Sequence, residues 1–292
     1  MVEDRSLASK LIDIVIVIFL LIFALTTLLP FINIIATTFA HPDEIIKGGF
    51  LLIPRKLSAA AIKYITTSAT FMGAIRNSVV ITLMGTVINM FFSVTMAYAL
   101  AQKRLKFRNV IMSFIVFTMV FQVGMIPNFL NVRLLHLQNT YWALTLPVAI
   151  NAFNLILIKN FFQEISAELI ESARMDGCND LIVLFRIVLP LSTPILATIT
   201  LFYAVGHWNS FMTAILYLSD ARKWPMQVLL RNIVMLSMMD MGNTEIGGSF
   251  FLLMPESLRA AAIFVSTLPI LVLYPFLQKY FVKGVMLGAV KG

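Results

Sequence analysis

Residues Glu171–Pro190 read ESARMDGCNDLIVLFRIVLP. Charged helix formers, one glycine and a second apolar run ending at proline follow one another inside a chain that is greasy on both sides. At 100° per residue, Glu164, Glu168, Glu171, Ser172 and Met175 fall on one helix face, with Leu169, Ile170 and Ala173 opposite. Ser166 stands where an N-cap belongs, and Glu168 suits the first turn, where the helix dipole favours an anion. Gly177 is the expected stop, because a left-handed residue closes many helix ends and glycine takes that conformation freely. Asn179 or Asp180 can cap a second helix, and Pro190 opens the apolar run that follows. A connector lying on lipid headgroups would carry a basic polar face. This face is acidic, so the stretch reads as a docking element for a soluble partner with a basic groove.

The surrounding chain is a membrane protein by composition. Of its 292 residues 60% are hydrophobic and only 12% charged, against about 25% charged in a soluble domain. The net charge is +8, but the basic residues cluster beside apolar runs, which is a topology signal and not a nucleic-acid footprint. One cysteine, Cys178, excludes an internal disulfide. His41, His136 and His207 lack metal-ligand spacing, so no metal site is expected. No Gly-Lys pair occurs, so the chain does not bind ATP through a P-loop, and no cofactor of its own is expected.

A helix needs roughly 20 apolar residues to cross a bilayer. Six runs qualify, at about 11–39, 75–101, 109–130, 141–162, 190–218 and 259–282, which makes an all-α integral membrane fold in one domain. Lys103, Arg104, Lys106 and Arg108 crowd the link after the second run, and Lys279, Lys283 and Lys291 mark the tail. The positive-inside rule places these, both termini and the segment at about 163–189 in the cytoplasm. The segments at about 40–74 and 219–258 are then external. Pro30, Pro127, Pro147, Pro194, Pro269 and Pro275 fall in or beside spans, as ordinary membrane-helix prolines or as hinges.

Uncharged polar residues within the spans are candidates for a solute path: Asn77, Asn89, Gln122, Asn128, Asn151, Asn154, His207 and Asn209, with Trp208 between the last two. A sugar offers hydroxyls and an apolar C–H face, which donors beside an aromatic plane suit. The competing role is hydrogen bonding between helices. Carboxylates are scarce in the spans, which argues against a proton relay. The external segment holds Asn243, Thr244, Glu245, Gly247 and Gly248, the small polar residues of a loop tip.

Glu171, Ala173, Asp176, Gly177, Phe185, Leu189 and Pro190 match the EAA motif of ABC importer permeases. Ser172 replaces the motif's first alanine, and Val188 stands where its isoleucine is expected. GHWNSFMTAILYLSD, WPMQVLLRNIV and the ending LPILVLYPFLQKYFVKGVMLGAVKG resemble the same permeases of maltose-type oligosaccharide importers. The resemblance implies six transmembrane helices in a bacterial inner membrane and a non-catalytic subunit. It implies pairing with a second permease, as a heterodimer, with two ABC ATPase subunits that bind ATP and Mg, and with an extracytoplasmic solute-binding protein. On that resemblance Glu168, Glu171, Ala173, Asp176 and Gly177 couple to the ATPase, and the 243–248 tip contacts the binding protein. A self-sufficient secondary transporter or channel is the alternative. It lacks support from inverted repeats or buried carboxylates. No HExxH or Ser-His-Asp set supports an enzyme.

Overall fold

The computed structural model describes residues 7–47, 49–121, 123–239 and 256–289, and the described residues are helical apart from turns and one isolated bridge. The main helices are α1 (Leu7–Phe39), α2 (Ala69–Ala101), α3 (Arg108–Val120), α4 (Met125–Leu134), α5 (Ala152–Glu164), α6 (Ala167–Met175), α7 (Thr193–Trp208), α8 (Met226–Met239) and α9 (Glu256–Ala289). Two compact units form, one of Met1–Met72 with Leu230–Thr267 and one of Gly73–Leu229 with Leu268–Gly292.

In the first unit α1 exposes Leu11, Phe19, Phe23 and Phe31 along its length, as a helix surrounded by hydrocarbon would. The chain then doubles back. His41 N donates to the Lys56 carbonyl (3.1 Å), Ser58 N donates to that of Phe39 (2.8 Å), and the Glu44 carboxylate accepts from Arg55 N and Lys56 N. Phe39 meets the ring of Phe264 edge-on at 6.0 Å.

The second unit is organised by one ridge of α2. Asn77, Ile81, Gly85, Asn89, Ser93 and Ala97 recur every four residues and all are buried. Ile81 joins an apolar cluster with Val132, Ala143, Leu144, Ala214, Tyr217, Leu218 and Val228. Ala97 joins another with Leu155, Ile158, Phe162, Ala173, Val183 and Ile199. Between the two clusters the ridge is small or polar.

Lys10–Phe39 and Ala69–Ala101 are each long and apolar enough to cross a membrane, and up to five spans result if three bent helix pairs each count as one. The three middle runs are therefore not straight. The run at 109–130 breaks between α3 and α4, where Gly124 is extended and Pro127 sits in the first turn of α4, where no backbone donor is needed. The run at 141–162 bends by 52° after the 3-10 turn Leu146–Val148, which contains Pro147. Asn151 Oδ1 then caps α5 by accepting from Asn154 N at 3.1 Å. The 190–218 run belongs to a pair bent by 85° at Ser192, between Pro190 and Pro194. It stops at Trp208, and Met212–Tyr217 is a separate helix. Helix α9 covers the sixth run. Helix α8 occupies part of the 219–258 segment, where the sequence reading expected only a loop, because Met226, Val228, Leu229 and Ile233 give it a buried side.

Candidate functional site

The acidic turn forms as a capped unit. Helix α6 ends in a Schellman motif: Cys178 N donates to the Ala173 carbonyl and Gly177 N to that of Arg174, both at 3.0 Å. Gly177 has φ +84°. Asn179 is the cap of the next helix, its Oδ1 accepting from Ile182 N at 2.9 Å. Asp180 is thereby left for ion pairing. It lies between Arg104, from the link after α2, and Arg174 of α6, whose Nη2 is 3.2 Å from Oδ1. Arg174 Nη2 also donates to Gln102 Oε1 at 2.9 Å. The turn is thus tied to the Ala101 end of α2.

Glu164, Glu168, Glu171, Ser172, Met175 and Asp176 are exposed, while Ala173 is buried and Ile170 half-buried against the core. Leu169, on the side opposite the acidic face with Ile170 and Ala173, is nonetheless 44% exposed. A helix of nine residues buries only the narrow stripe of Ile170 and Ala173, and Leu169 lies outside it. Ser166 occupies the N-cap position without a side-chain capping bond. Below the turn, Leu184–Val188 is a π-helix that leads into Pro190, which cannot donate to the carbonyl four residues back.

A polar layer crosses the middle of the second unit. Tyr203 Oη lies 2.7 Å from Ser93 Oγ and accepts from Asn151 N at 3.2 Å. One turn further along each helix, His207 Nε2 lies 2.6 Å from Asn89 Oδ1, and Asn89 Nδ2 donates to the Val148 carbonyl. Since 203 pairs with 93 and 207 with 89, α2 and α7 run in opposite directions here. Gly85 permits the approach, because a Cβ there would stand 2.4 Å from His207 Nε2.

At the Asn77 end of α2, Asn77 Nδ2 donates to the carbonyls of Arg222 (2.8 Å) and Trp224 (3.1 Å), and Tyr141 Oη donates to Asn77 Oδ1. Asn139 accepts from Asp220 N and Lys223 Nζ. Residues 139–141 and 217–224 therefore gather at the end of α2 opposite the acidic turn.

The structure separates the candidate path residues. His207 is held by Asn89. Trp208 and Asn209 border a cavity of about 580 Å³ with Thr82, Phe202, Val205 and Pro269. Trp208 is buried and Asn209 exposed as the C-cap of α7. Asn151 and Asn154 form the start of α5. Asn128 Nδ2 donates to the Val123 carbonyl. Gln122 and the tip residues Asn243, Thr244, Glu245, Gly247 and Gly248 lie outside the described residues. Sequence reasoning missed Gly85, Ser93 and Tyr203, and it read Asp180 only as a possible cap and not as an ion-pairing group. The four-residue recurrence of small and polar residues in α2 was the available signal for the first two.

Bent spans around an antiparallel helix pair, with a capped acidic turn at one end, describe a membrane transport subunit. Residues 89–287 match the family described as "Binding-protein-dependent transport system inner membrane component", and the chain belongs to that family. It is 51% identical over 284 residues to the polygalacturonan/rhamnogalacturonan transport system permease protein YtcP of Bacillus subtilis (strain 168), covering 97% of this chain and 99% of that protein. It is 46% identical to protein LplC of the same organism, over 98% of this chain and 96% of that protein. Among solved structures it superposes with TM-score 0.87 and 36% identity on a chain of a bacterial ABC transporter involved in the import of the acidic polysaccharide alginate, over 95% of this chain and 99% of that one.

Proposed function

We propose that this chain is a permease subunit of an ATP-driven oligosaccharide importer, with six spans and both termini in the cytoplasm. It pairs with a second permease and docks through the Glu168–Gly177 turn on two ATPase subunits, which hold ATP and Mg. A solute-binding protein delivers the sugar from outside. The observation that carries this reading is the turn itself: exposed carboxylates on a helix closed by Gly177 at φ +84° and tied to α2 through Asp180. An acidic element braced in this way passes movement to the spans when a partner's groove closes on it. ATP shifts the equilibrium between inward and outward access only through its different affinity for the two states of that partner.

Galacturonans and alginate are acidic carbohydrates, so an acidic oligosaccharide is the substrate class to try first. Trp208 and Asn209 are the path residues we retain, an aromatic face beside an amide on one cavity wall. His207 serves α2–α7 packing, and the 243–248 tip meets the binding protein.

The test is purification in mild detergent followed by uptake into proteoliposomes. Two ATPase subunits and a second permease should copurify, and labelled oligosaccharide should enter only with ATP and binding protein. Uptake by this chain alone, without an ATPase, would establish the secondary-transporter alternative.

A further inference from the structure

A second Schellman motif closes α4. His136 N donates to the Arg133 carbonyl at 3.0 Å and Leu137 N to that of Val132 at 3.1 Å. The left-handed position here is His136, at φ +54°. At the matching place after α6 the chain uses glycine. Histidine tolerates this region better than most residues, yet glycine adopts it without steric cost. The side chain carried at this left-handed position lines a cleft. Leu130, Arg133, Leu134, His136 and Gln138 surround about 710 Å³, within the ~300–1,000 Å³ range of small-molecule sites.

The charges around the cleft are one-sided. No Asp or Glu occurs between Glu44 and Glu164. The Arg133 guanidinium forms no ion pair with a described residue, and Asp220, which approaches the same end of α2, is held by Arg222. Through Asn139, Asn77 and Asp220 the cleft's segment belongs to the end of α2 opposite the acidic turn, which is the outer end on the reading above. A cation there with no described counter-charge runs against the usual inward bias of basic residues.

We propose that this cleft is a carboxylate-reading subsite for a uronate unit of an acidic oligosaccharide as it leaves the binding protein. The Arg133 guanidinium forks onto the sugar carboxylate, a geometry that lysine cannot reproduce. His136 and Gln138 meet ring hydroxyls, and Leu130 and Leu134 cover the apolar C–H face. The inference rests on the importer reading and adds its specificity residues.

The experiment uses the complete transporter in proteoliposomes, with trigalacturonate as probe and its binding protein varied to saturation. Arg133→Gln, Arg133→Lys and His136→Gly are compared with wild type. His136→Gly suits the left-handed backbone, so folding is preserved by design. Each variant is expected to lower maximal trigalacturonate flux on the order of tenfold, the effect of one lost bond to the sugar carboxylate or hydroxyls. Half-saturation by the binding protein should change less than about twofold. Unchanged flux overturns the proposal. So does a loss that excess binding protein restores, since the cleft is then a protein-docking contact. If wild type carries other sugars with ATP but not trigalacturonate, the subsite falls while the importer reading stands. If ATP drives no uptake at all, the importer reading itself fails.

Discussion

Asn89 joins His207 to Val148 and fixes the protonation of the ring between α2 and α7. The Val148 carbonyl can only accept, so the amide nitrogen of Asn89 faces it. Oδ1 is then left for His207, and since it also only accepts, Nε2 of the imidazole, 2.6 Å away, carries the proton. One hydrogen bond thus sets the tautomer of a buried histidine.

Gly85→Ala tests this contact. The added methyl would overlap the His207 ring, with Cβ 2.4 Å from Nε2, so the ring must move off Asn89. We expect a loss of about 1–3 kcal/mol, read as a lower unfolding midpoint in detergent. His207→Ala should lose a similar amount by leaving Asn89 unpaired. The double variant should lose less than the sum, because both changes break the same bond. Strict additivity would mean that Gly85 and His207 do not share it.

Tyr203→Phe removes only the hydroxyl that joins Ser93 to Asn151 N. The buried Ser93 hydroxyl and the Asn151 N–H lose their partner, for an expected cost of about 1–3 kcal/mol. Ser93→Ala in the Tyr203→Phe background should add little. A full, independent loss from Ser93→Ala would show that the hydroxyl pair contributes nothing.

Glu171→Lys should insert normally and lose the ATPase partner. The site is exposed and outside the apolar runs. Like charges at an interface can cost several kcal/mol, roughly a hundredfold in affinity. Gly177→Val leaves the acidic face intact but forces a β-branched residue to φ +84°, misdirecting the turn. Copurification and binding-protein-stimulated ATP hydrolysis report both. Wild-type stoichiometry and coupling in Glu171→Lys would remove the docking assignment.

Asp220 gives the 220–223 turn an acid sensitivity. Hydrogen bonds from the Arg222 side chain, and then from its backbone N–H, hold the Asp220 carboxyl below the usual carboxylate range. A depressed pKa means that the ionised form favours the fold. Its contribution is complete above the ordinary value of about 3.9 and is lost as pH falls through the lower folded value. Hydrogen-exchange protection factors at Arg222 and Lys223 should be flat near neutrality and drop in acid. Asp220→Asn should lower them at neutral pH and abolish the acid step. A wild-type acid profile in that variant excludes Asp220 as the titrating group.

Orientation can be read with single cysteines in a Cys178→Ser background. Lys106→Cys should be protected from an impermeant thiol reagent on intact cells, and Gln138→Cys and Gly247→Cys should react. The reverse pattern inverts the topology and removes the outer cleft from the substrate's side.

Much of the acidic turn was legible because its determinants are local. A helix stop at Gly177, a cap at Asn179 and the exposure of Glu168 and Glu171 depend on residues within a few positions of one another. The apolar runs were legible for the same reason, as length and composition. Where they bend was not. Pro127, Pro147 and Pro194 were visible, but a proline can start a helix, kink it or pass in a first turn, and neighbouring contacts choose among these. Leu169 stays exposed on the apolar side because periodicity gives a face and not how wide a strip the neighbours cover.

The sequence by itself determined the membrane class, the capped acidic turn and the family, since hydropathy, turn chemistry and motif spacing act over short distances along the chain. Only the tertiary structure decided the role of the polar residues within the runs. Asn89, Ser93, Tyr203 and His207 are far apart in sequence, and a buried polar group away from water takes whatever partner folding brings to it. His207 looked like a neighbour of Trp208 and Asn209. In the fold it turns to Asn89, because Gly85 leaves room for its ring.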